Sequence, residues 1–398
     1  MYNILEPSRK QYFQKVAELV PHFNGQFIVL THLLPDRPEL LNAIRSIAPI
    51  AMVVAIPYST NLATLHRLQI EYHVATPTLD ELRNPLYINE LLTKINAHKE
   101  LIILEIGGYF ASTLPTLYER LQGKLIGVVE STEAGHRQYE RIQNLPCPVI
   151  SVSRGSLKRS EYSLVGSSCL FSTERLVRRA GFILDGKNAA VLGYGKVGNG
   201  LARSLMRYHC KSYIYDTNPI LRLLAISEGY QAPEKDVVLA QAEIIFGATG
   251  NQSIAATDFA KIRHGALLVS CSSKDIEFDL NFLNKNYQRE ELFDNFDLYH
   301  NDHQYFYLLG KGMPINFLDN AVMGPILALV QAEVIYGIKR VMDLKGERGI
   351  FEIAEEDRKT LALMWLKYFN DNTLGYQHNE HRSHSANQKL HKELATAG

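Results

Sequence analysis

Cysteine is scarce in this chain, and long apolar runs are missing. The four cysteines are scattered and form no Cys-x-x-Cys pair. This usage predicts reduced thiols in a cytoplasmic protein, with no disulfide framework and no metal site. No apolar stretch approaches the roughly 20 residues that a transmembrane helix needs. Residues 1–7 lack a basic segment followed by an apolar core, so we expect no signal peptide.

Net charge is also absent, because 42 lysines and arginines balance 42 aspartates and glutamates. A neutral chain has no global electrostatic field that would hold nucleic acid or an anionic membrane surface. We therefore expect a small-molecule substrate, with no nucleic-acid partner and no membrane partner. The 398 residues are enough for two or three domains.

Short apolar strands alternate with predicted helices along most of the chain. The predicted strands lie at 26–30, 51–56, 101–104, 125–129, 188–192, 211–215, 242–246, 265–269 and 305–309. Fully apolar strands between helices are typical of a parallel sheet covered on both faces. The pattern predicts an α/β protein with two doubly wound, Rossmann-like domains and a cleft between them. Ligands of such sheets bind just beyond the carboxyl ends of the strands.

The most informative stretch, residues 188–200, predicts a buried strand, a tight glycine turn and the start of a helix. Gly193, Gly195 and Gly198 form G-x-G-x-x-G, and Asp216 ends the next predicted strand about twenty residues later. Such glycines make the turn, let the backbone approach a pyrophosphate, and let helix and strand pack closely. The phosphate then lies at the helix N-terminus. An acid at Asp216 binds a ribose diol and repels a 2′-phosphate, so we predict NAD. The alternative is a glycine turn that only packs a helix on a strand.

Other residues near these strand ends complete the predicted cofactor site. Lys196 and Val197 lie between the glycines of the motif. Thr249, Gly250 and Asn251 follow the strand at 242–246, and we expect them to line the NAD ribose.

The order of motifs resembles that of the S-adenosylhomocysteine hydrolases, from about residue 25 to about residue 345. The resemblance is strongest over 186–280, where four segments carry it: Gly193-Tyr-Gly-Lys-Val-Gly198, Asp216-Thr-Asn-Pro219, Ala248-Thr-Gly250 and Asp275-Ile-Glu-Phe-Asp279. The segments that fall where this family has its substrate loops are Thr31-His-Leu33, Pro57-Tyr-Ser-Thr60, Gly107-Gly108 and Glu130-Ser-Thr-Glu-Ala-Gly-His136.

The resemblance implies NAD that is held tightly and used to oxidise the 3′-hydroxyl of a nucleoside, followed by elimination or addition at the 5′ carbon. It also implies that Asn316 meets the nicotinamide carboxamide. The residues that move protons in the family are replaced here. Its catalytic lysine corresponds to Ser160, its aspartate partner to Tyr162, and one histidine to Ser273. Homocysteine hydrolase activity is therefore not what we expect.

Lys158 and Glu161 lie near the replaced lysine, but their helical or turn spacing predicts that they point elsewhere. The resemblance and the glycine motif together suggest a division of the chain. We expect a substrate domain at 1–172, an NAD-binding domain at 173–344, and a polar tail at 371–398. Residues 345–370 are expected to pack back on the first domain.

Four polar residues near predicted strand ends are candidates for substrate chemistry. Glu133 belongs to an acid/base cluster or only stabilises a helix N-terminus. His32 lies in the first loop, where it binds substrate or is a capping histidine. Glu105 precedes the Gly-Gly pair. Asp319 follows Asn316 and could take the proton when a hydroxyl loses hydride.

The preferred hypothesis is an NAD-dependent oxidoreductase of biosynthetic type that transfers hydride to or from a polar small molecule in the cleft. One alternative is a redox-neutral hydrolase or lyase that recycles its NAD. Another is a catalytically inactive NAD-binding regulator. The apolar helix predicted at 322–343 suggests a homodimer or homotetramer. His378, His381 and His384 form H-x-x-H-x-x-H in the tail, where we expect no metal site.

Overall fold

The structure is a computed structural model that describes residues 4–95, 98–272 and 274–370. Its strands are β1 (Gln26–Leu33), β2 (Ile50–Thr60), β3 (Val74–Ala75), β4 (Leu101–Glu105), β5 (Leu125–Glu130), β6 (Pro148–Ser151), β7 (Asn188–Leu192), β8 (Lys211–Tyr215), β9 (Ile244–Gly247), β10 (Leu267–Ser270), β11 (Gln288–Phe293), β12 (Phe296–His300), β13 (Tyr305–Leu309) and β14 (Gly349–Phe351). Its α-helices are α1 (Glu6–Ala17), α2 (Arg37–Ile47), α3 (Leu62–Glu71), α4 (Leu79–Arg83), α5 (Pro85–Leu91), α6 (Leu114–Arg120), α7 (Glu133–Glu140), α8 (Arg159–Arg179), α9 (Lys196–Leu205), α10 (Pro219–Ser227), α11 (Lys235–Gln241), α12 (Leu280–Asn286), α13 (Ile326–Asp343) and α14 (Glu355–Phe369). Short 3₁₀ segments lie at Leu92–Lys94, Ala111–Thr113, Met206–Tyr208, Ala256–Lys261, Gly310–Gly312 and Ile315–Asp319.

The first sheet has seven parallel strands in the order β14-β6-β5-β4-β1-β2-β3. Helices cover both of its faces. Along β1, Phe27 and Val29 belong to one hydrophobic core, while Ile28 and Leu30 belong to the core on the opposite face. Because successive side chains of a strand point to opposite faces, a strand buried on both sides must be apolar throughout. This burial explains the unbroken apolar runs in the sequence.

The second sheet has seven strands in the order β11-β12-β13-β10-β9-β7-β8. Its strands from β13 to β8 run parallel, and a β11–β12 hairpin adds an antiparallel edge. The sequence analysis missed this hairpin, because the polar β11 is largely exposed and lacks the apolar signal of a buried strand. Two α/β sheets with helices on their faces confirm the predicted fold class.

In each sheet the strand order reverses once, and the reversal creates a crevice. In the first sheet the crevice lies between β1 and β4, and in the second it lies between β7 and β9. The chain leaves these two neighbouring strands in opposite directions, so the loops at their carboxyl ends diverge and leave room for a ligand. Most of the predicted site residues lie in the loops after β1, β4, β7 and β9 or at the adjoining ends of the strands and helices that these loops connect.

The chain crosses between the two sheets twice, and the helices at the crossings are α8 and α13. The boundary expected at residue 344 assigned α13 to the second domain, but this helix packs on β5 and β6 of the first sheet. The contact is close, since a Cβ on Gly337 would lie 2.8 Å from a methyl group of Val129. Burial within the same chain accounts for the apolar character of α13. That character therefore gives no reason to expect an oligomer.

Other predicted elements differ in detail from those observed. Residues 79–91 form two short helices, α4 and α5, because Asn84 caps a new helix that begins at Pro85. The strand β14 adds to the outer edge of the first sheet beside β6. No helix in the described residues has both the length and the apolar character to cross a membrane. The tail at 371–398, including its three spaced histidines, lies outside the described residues, as does Ser273.

Candidate active site

A cavity of about 890 Å³ lies between the two sheets. Its wall takes residues from the strand ends and loops at both strand-order reversals, including His32 at the end of β1, Glu105 at the end of β4, Gly195 and Thr249. Helix α7 and the start of α8 close one side, and the loop containing Asn316 closes another. The cavity thus lies where the two sheets are each expected to bind a ligand.

The glycine turn after β7 has the geometry that dinucleotide binding requires. Gly193 has a φ of +96°, and a Cβ there would lie 2.7 Å from the Ala248 carbonyl oxygen. A Cβ on Gly198 would overlap the Gly193 carbonyl oxygen, so this glycine lets α9 pack against the turn. Gly195 differs from both, since a Cβ there would meet no protein atom within 4 Å. The space above Gly195 opens into the cavity at the N-terminus of α9, where free N–H groups favour an anion.

Asp216 lies at the end of β8 and supports the same turn. Its Oδ2 accepts the Tyr194 N–H at 2.7 Å, and its Oδ1 accepts the Asn218 N–H at 2.8 Å. A carboxylate has about four lone-pair sites, so these two bonds leave capacity for a ribose diol. Lys196 is the first residue of α9 and lines the cavity, as does Val197. The Lys196 ammonium lies 4.6 Å from the ring centre of Tyr162.

The loop after β9 is held by a buried carboxylate that the sequence analysis used only as part of a motif. Glu277 is fully buried and accepts the N–H groups of Thr249 and Gly250, both at 2.8 Å. It also accepts the hydroxyls of Thr249 and Ser272. The Thr249 hydroxyl is therefore committed to the loop itself, while Thr249, Gly250 and Asn251 all line the cavity. Glu277 positions this loop without reaching the cavity.

Asn316 and the next residue bring the second half of the chain against the first. Asn316 is buried in the cavity wall, and no described residue hydrogen-bonds its side-chain amide. The ring of Phe317 lies 4.6 Å from the ring of His32, centre to centre. Across the same junction, Asn61 Nδ2 donates to Asn320 Oδ1 at 3.1 Å. These contacts place His32 beside the loop that contains Asn316.

The hydrogen bonds around His32 define its tautomer. Its Nδ1 lies 2.5 Å from the Ser59 hydroxyl oxygen, and that hydroxyl donates to the Ile56 carbonyl at 3.3 Å. From this network we assign the tautomer in which the Ser59 oxygen accepts from Nδ1–H, which leaves a lone pair on Nε2. Burial and the charges of Arg37 and Lys158 hold the pKa of His32 well below its ordinary value of 6.5. At neutral pH the ring is therefore uncharged, with Nε2 as a proton acceptor that no described residue occupies.

Glu105 faces the cavity only in part, because both of its carboxyl oxygens are engaged. One accepts the Tyr139 hydroxyl and the other accepts the Phe110 N–H at 3.2 Å. Burial, followed by the charge of Glu130, raises the pKa of Glu105 to about 8. Glu130 is itself fully buried and accepts the Gly107 and Gly108 N–H groups at 3.1 and 2.9 Å. The two carboxyl groups therefore hold the Gly-Gly loop in place through hydrogen bonds.

The other two predicted catalytic carboxylates are held in ion pairs. Glu133 lines the cavity, and its oxygens lie 2.8 and 3.2 Å from the guanidinium groups of Arg154 and Arg137. Burial acts to raise the pKa of Glu133, but these arginines outweigh it and the pKa lies below its ordinary value. Asp319 is absent from the cavity wall and lies 2.8 Å from Arg175 on α8. Its position therefore does not support the role predicted for it.

Residues 168–322 match the family model described as "S-adenosyl-L-homocysteine hydrolase, NAD binding domain". This part of the chain is an NAD-binding domain. The match confirms the resemblance over residues 168–322, and it confirms NAD as the cofactor. Gly195, which leaves open space above the turn, and Asn316, with its free amide, fit that cofactor.

The chain is also similar to solved structures of two-domain proteins. One is described as the pyruvate reductase of Chlamydomonas reinhardtii, with 14% identity and a TM-score of 0.44, covering 83% of this chain and all of that one. A putative D-3-phosphoglycerate dehydrogenase from Ralstonia solanacearum has 12% identity and a TM-score of 0.42, covering 81% of this chain and 96% of that one. A dipicolinate synthase chain from Bacillus halodurans has 13% identity and a TM-score of 0.42, covering 66% of this chain and 88% of that one.

The charged residues in the cavity wall that were not predicted from the sequence include Lys158, Glu161 and Lys274. Lys158 and Glu161 form a buried ion pair in its wall, so the prediction that they point elsewhere was wrong. Lys274 also lines it, next to the undescribed Ser273. Their signal in the sequence was weak, because each lies at or near a helix start or in a loop, where side-chain direction depends on tertiary packing. Among the described residues, no group of three or more His, Cys, Asp or Glu side chains could hold a metal ion.

Proposed function

We propose that this protein is an NAD-dependent oxidoreductase that transfers hydride to or from a polar small molecule in the cleft. The observation that carries the proposal is the neighbourhood of His32 and Asn316. A neutral imidazole with a free Nε2 lies beside the loop expected to hold the nicotinamide carboxamide. NAD supplies the hydride acceptor or donor, and the protein must supply orientation and a proton acceptor.

The residues of the second half divide the work of holding the cofactor. The N-terminus of α9, with Gly195 and Lys196, binds the pyrophosphate, and Asp216 binds the ribose diol. Asn316 orients the carboxamide. The first sheet then carries the substrate, together with α13, α14 and β14, which pack on it or join it. In this division the second domain ends in the loop before α13, and not at residue 344 as expected from the sequence.

His32 is the residue we assign to proton transfer. When the substrate carbon gives up hydride, its hydroxyl must lose a proton, and Nε2 of a neutral imidazole can accept it. Ser59 and Arg37 keep the ring in place, since Ser59 accepts from Nδ1 and Arg37 Nε donates to the His32 carbonyl at 3.0 Å. Glu105, Glu133 and Asp319 are less suited, because their oxygens are engaged in hydrogen bonds or ion pairs.

The test begins with purified protein and a panel of hydroxy and keto compounds, monitored through NADH absorbance. With an active compound, His32→Gln should lower kcat by roughly 100- to 10,000-fold, the usual contribution of a general acid/base. Its affinity for NAD should stay within about twofold of the wild type, since the side chain is not placed on the cofactor's binding groups. His66→Gln, in the exposed face of α3, is the matched control and should leave both values unchanged.

Three outcomes would contradict the proposal. A His32→Gln protein with wild-type kcat would remove the histidine from the mechanism. Bound NAD that is never converted to NADH by any compound, with no transient absorbance change, would instead favour an NAD-binding regulator. A transient rise in absorbance that decays as product forms would favour the redox-neutral alternative with recycled NAD.

A further inference from the structure

The charge of the cavity wall differs from that of the protein as a whole. The chain is neutral, yet the wall contains eight lysine and arginine side chains against three glutamates. One of the three, Glu105, has its pKa raised to about 8 by burial and by the charge of Glu130, so it is mostly uncharged at neutral pH. Such a wall attracts anions, and low-dielectric walls strengthen the attraction.

Most of these cations have an ion-pair partner. Arg37 pairs with Asp36, Arg83 with Asp275, Lys158 with Glu161, and both Arg137 and Arg154 with Glu133. Three cations of the wall have no carboxylate in ion-pair range among the described residues: Lys196, Arg141 and Lys274.

Lys196 lies at the N-terminus of α9, where the cofactor's own phosphates account for its charge. The other two belong to a different part of the cavity. Lys274 Nζ donates to the Gly107 carbonyl at 3.0 Å and lies 4.4 Å from the ring centre of Tyr109. An ammonium group has three donors, so two remain for a ligand. Burial lowers the pKa of Lys274, although Glu130 and Glu105 act against that shift.

Arg141 flanks the same Gly-Gly loop from the side of α7. Its only described hydrogen bond is a long one, 3.5 Å, to the Gln138 amide oxygen. Gln138 in turn packs on the loop, because a Cβ on Gly108 would lie 3.0 Å from the Gln138 Cβ. Two cations without a carboxylate partner, one half-buried and one exposed, therefore line the cavity wall near one loop, which Lys274 contacts directly and Arg141 through Gln138.

We propose that Lys274 and Arg141 form an anion subsite, so that the substrate carries a carboxylate or phosphate group in addition to the carbon that exchanges hydride. This proposal rests on the proposed function, and it names the substrate class. Lys274 contacts the anion inside the cavity, and Arg141 contacts it from the rim. The subsite is separate from the pyrophosphate site at Lys196, so it remains available when NAD is bound.

The test uses the wild-type protein saturated with NADH and titrated at constant ionic strength, with bound-NADH fluorescence and calorimetry as readouts. The probes are oxalate, inorganic phosphate, and oxamide as an uncharged analogue of oxalate. Oxalate or phosphate should bind, the tighter of the two identifies the anion, and oxamide should bind at least tenfold more weakly. Loss of one charge-assisted hydrogen bond in Lys274→Met should weaken anion binding about 10- to 100-fold.

Two further variants separate anion binding from a structural role of Lys274. Arg141→Met leaves the Lys274–Gly107 contact intact and should weaken the anion about 3- to 10-fold, less than Lys274→Met because Arg141 is exposed. Lys285→Met, on the exposed face of α12, is the matched control and should bind the anion like the wild type. The affinity for NADH should stay within about twofold in all three.

The possible failures point to different steps. If the wild-type protein does not bind NADH, the proposed function fails. If NADH binds but neither oxalate nor phosphate does, the anion subsite fails alone. It fails equally if oxamide binds as tightly as oxalate, or if Lys274→Met and Arg141→Met both bind the anion with wild-type affinity.

Discussion

The glycine turn allows a test that separates cofactor binding from folding. Gly195 and Gly198 are three residues apart, yet their surroundings differ. A Cβ on Gly195 meets no protein atom, whereas a Cβ on Gly198 overlaps the Gly193 carbonyl. Gly195 has a φ of −68°, which alanine adopts freely. We therefore expect Gly195→Ala to fold normally and lose NAD, and Gly198→Ala to lose stability.

The magnitudes follow from the geometry. Alanine at position 195 lowers the conformational entropy of the unfolded chain, so less entropy is lost on folding. This effect stabilises Gly195→Ala by about 0.4–1 kcal/mol. The poorer N-cap offsets this by a similar amount, about 0.5–1 kcal/mol. The net change in the free energy of unfolding should stay within about 1 kcal/mol. The added methyl group occupies the space of the pyrophosphate and removes one or two charge-assisted hydrogen bonds. Each contributes about 1.5–3 kcal/mol, so NAD affinity should fall at least about tenfold.

Gly198→Ala is the contrasting variant. Its methyl group meets backbone atoms that cannot rotate away, so the free energy of unfolding should fall by about 3 kcal/mol, at the upper end for overpacking. Calorimetric titration with NAD and urea unfolding measure the two effects. If Gly195→Ala binds NAD within threefold of the wild type, the pyrophosphate does not rest on this turn. If Gly195→Ala is as unstable as Gly198→Ala, a side chain at position 195 must clash with other protein atoms.

Three further predictions concern buried or half-buried charges. Asp216→Ala should weaken NAD binding at least about tenfold by removing an acceptor for the ribose diol, and it should narrow the preference of NAD over NADP; calorimetry with both cofactors tests this. Glu105 has its pKa raised from 4.5 to about 8, so its contribution to stability is complete below pH 4.5 and is lost as pH rises through 8. Relative to the neutral isostere Glu105→Gln, the free energy of unfolding of the wild type should fall by up to about 1.4 kcal/mol per pH unit over that range. Urea unfolding measures it, and an equal difference between the two proteins at pH 5 and at pH 8.5 would contradict this prediction. Arg358→Met leaves the fully buried Glu333 without the partner that now lies 2.8 Å away, and it should destabilise the fold by about 3–5 kcal/mol. The double variant Glu333→Leu/Arg358→Met should recover most of that loss, and equal instability of the single and double variants would contradict the account.

The cofactor half could be predicted well because its signals are local. About thirty residues contain the turn, the start of α9 and the acid after β8. Nearby atoms of the same segment determine where a glycine is needed. Gly198 faces the turn carbonyl five residues earlier, and Asp216 accepts the N–H of Tyr194 inside the motif. Such short-range constraints can be predicted from a single sequence.

The substrate half was harder to predict because its chemistry is assembled from distant segments. The ring of His32 contacts the ring of Phe317, and Lys274 donates to the Gly107 carbonyl. No periodicity specifies which way such loop side chains turn. Asp319 illustrates the difficulty, since it lies near Asn316 in sequence but pairs with Arg175 away from the cavity.

The sequence by itself thus determined the α/β architecture, the glycine turn and NAD as the cofactor, because apolar alternation and glycine spacing act over one strand and one helix. Only the tertiary structure decided which polar side chains face one another across the cleft. It joined α13 to the first sheet, left the His32 Nε2 free, and left Lys274 without a carboxylate partner. These features depend on how the two sheets pack together, and that packing buries some charges in pairs while leaving others to meet a ligand.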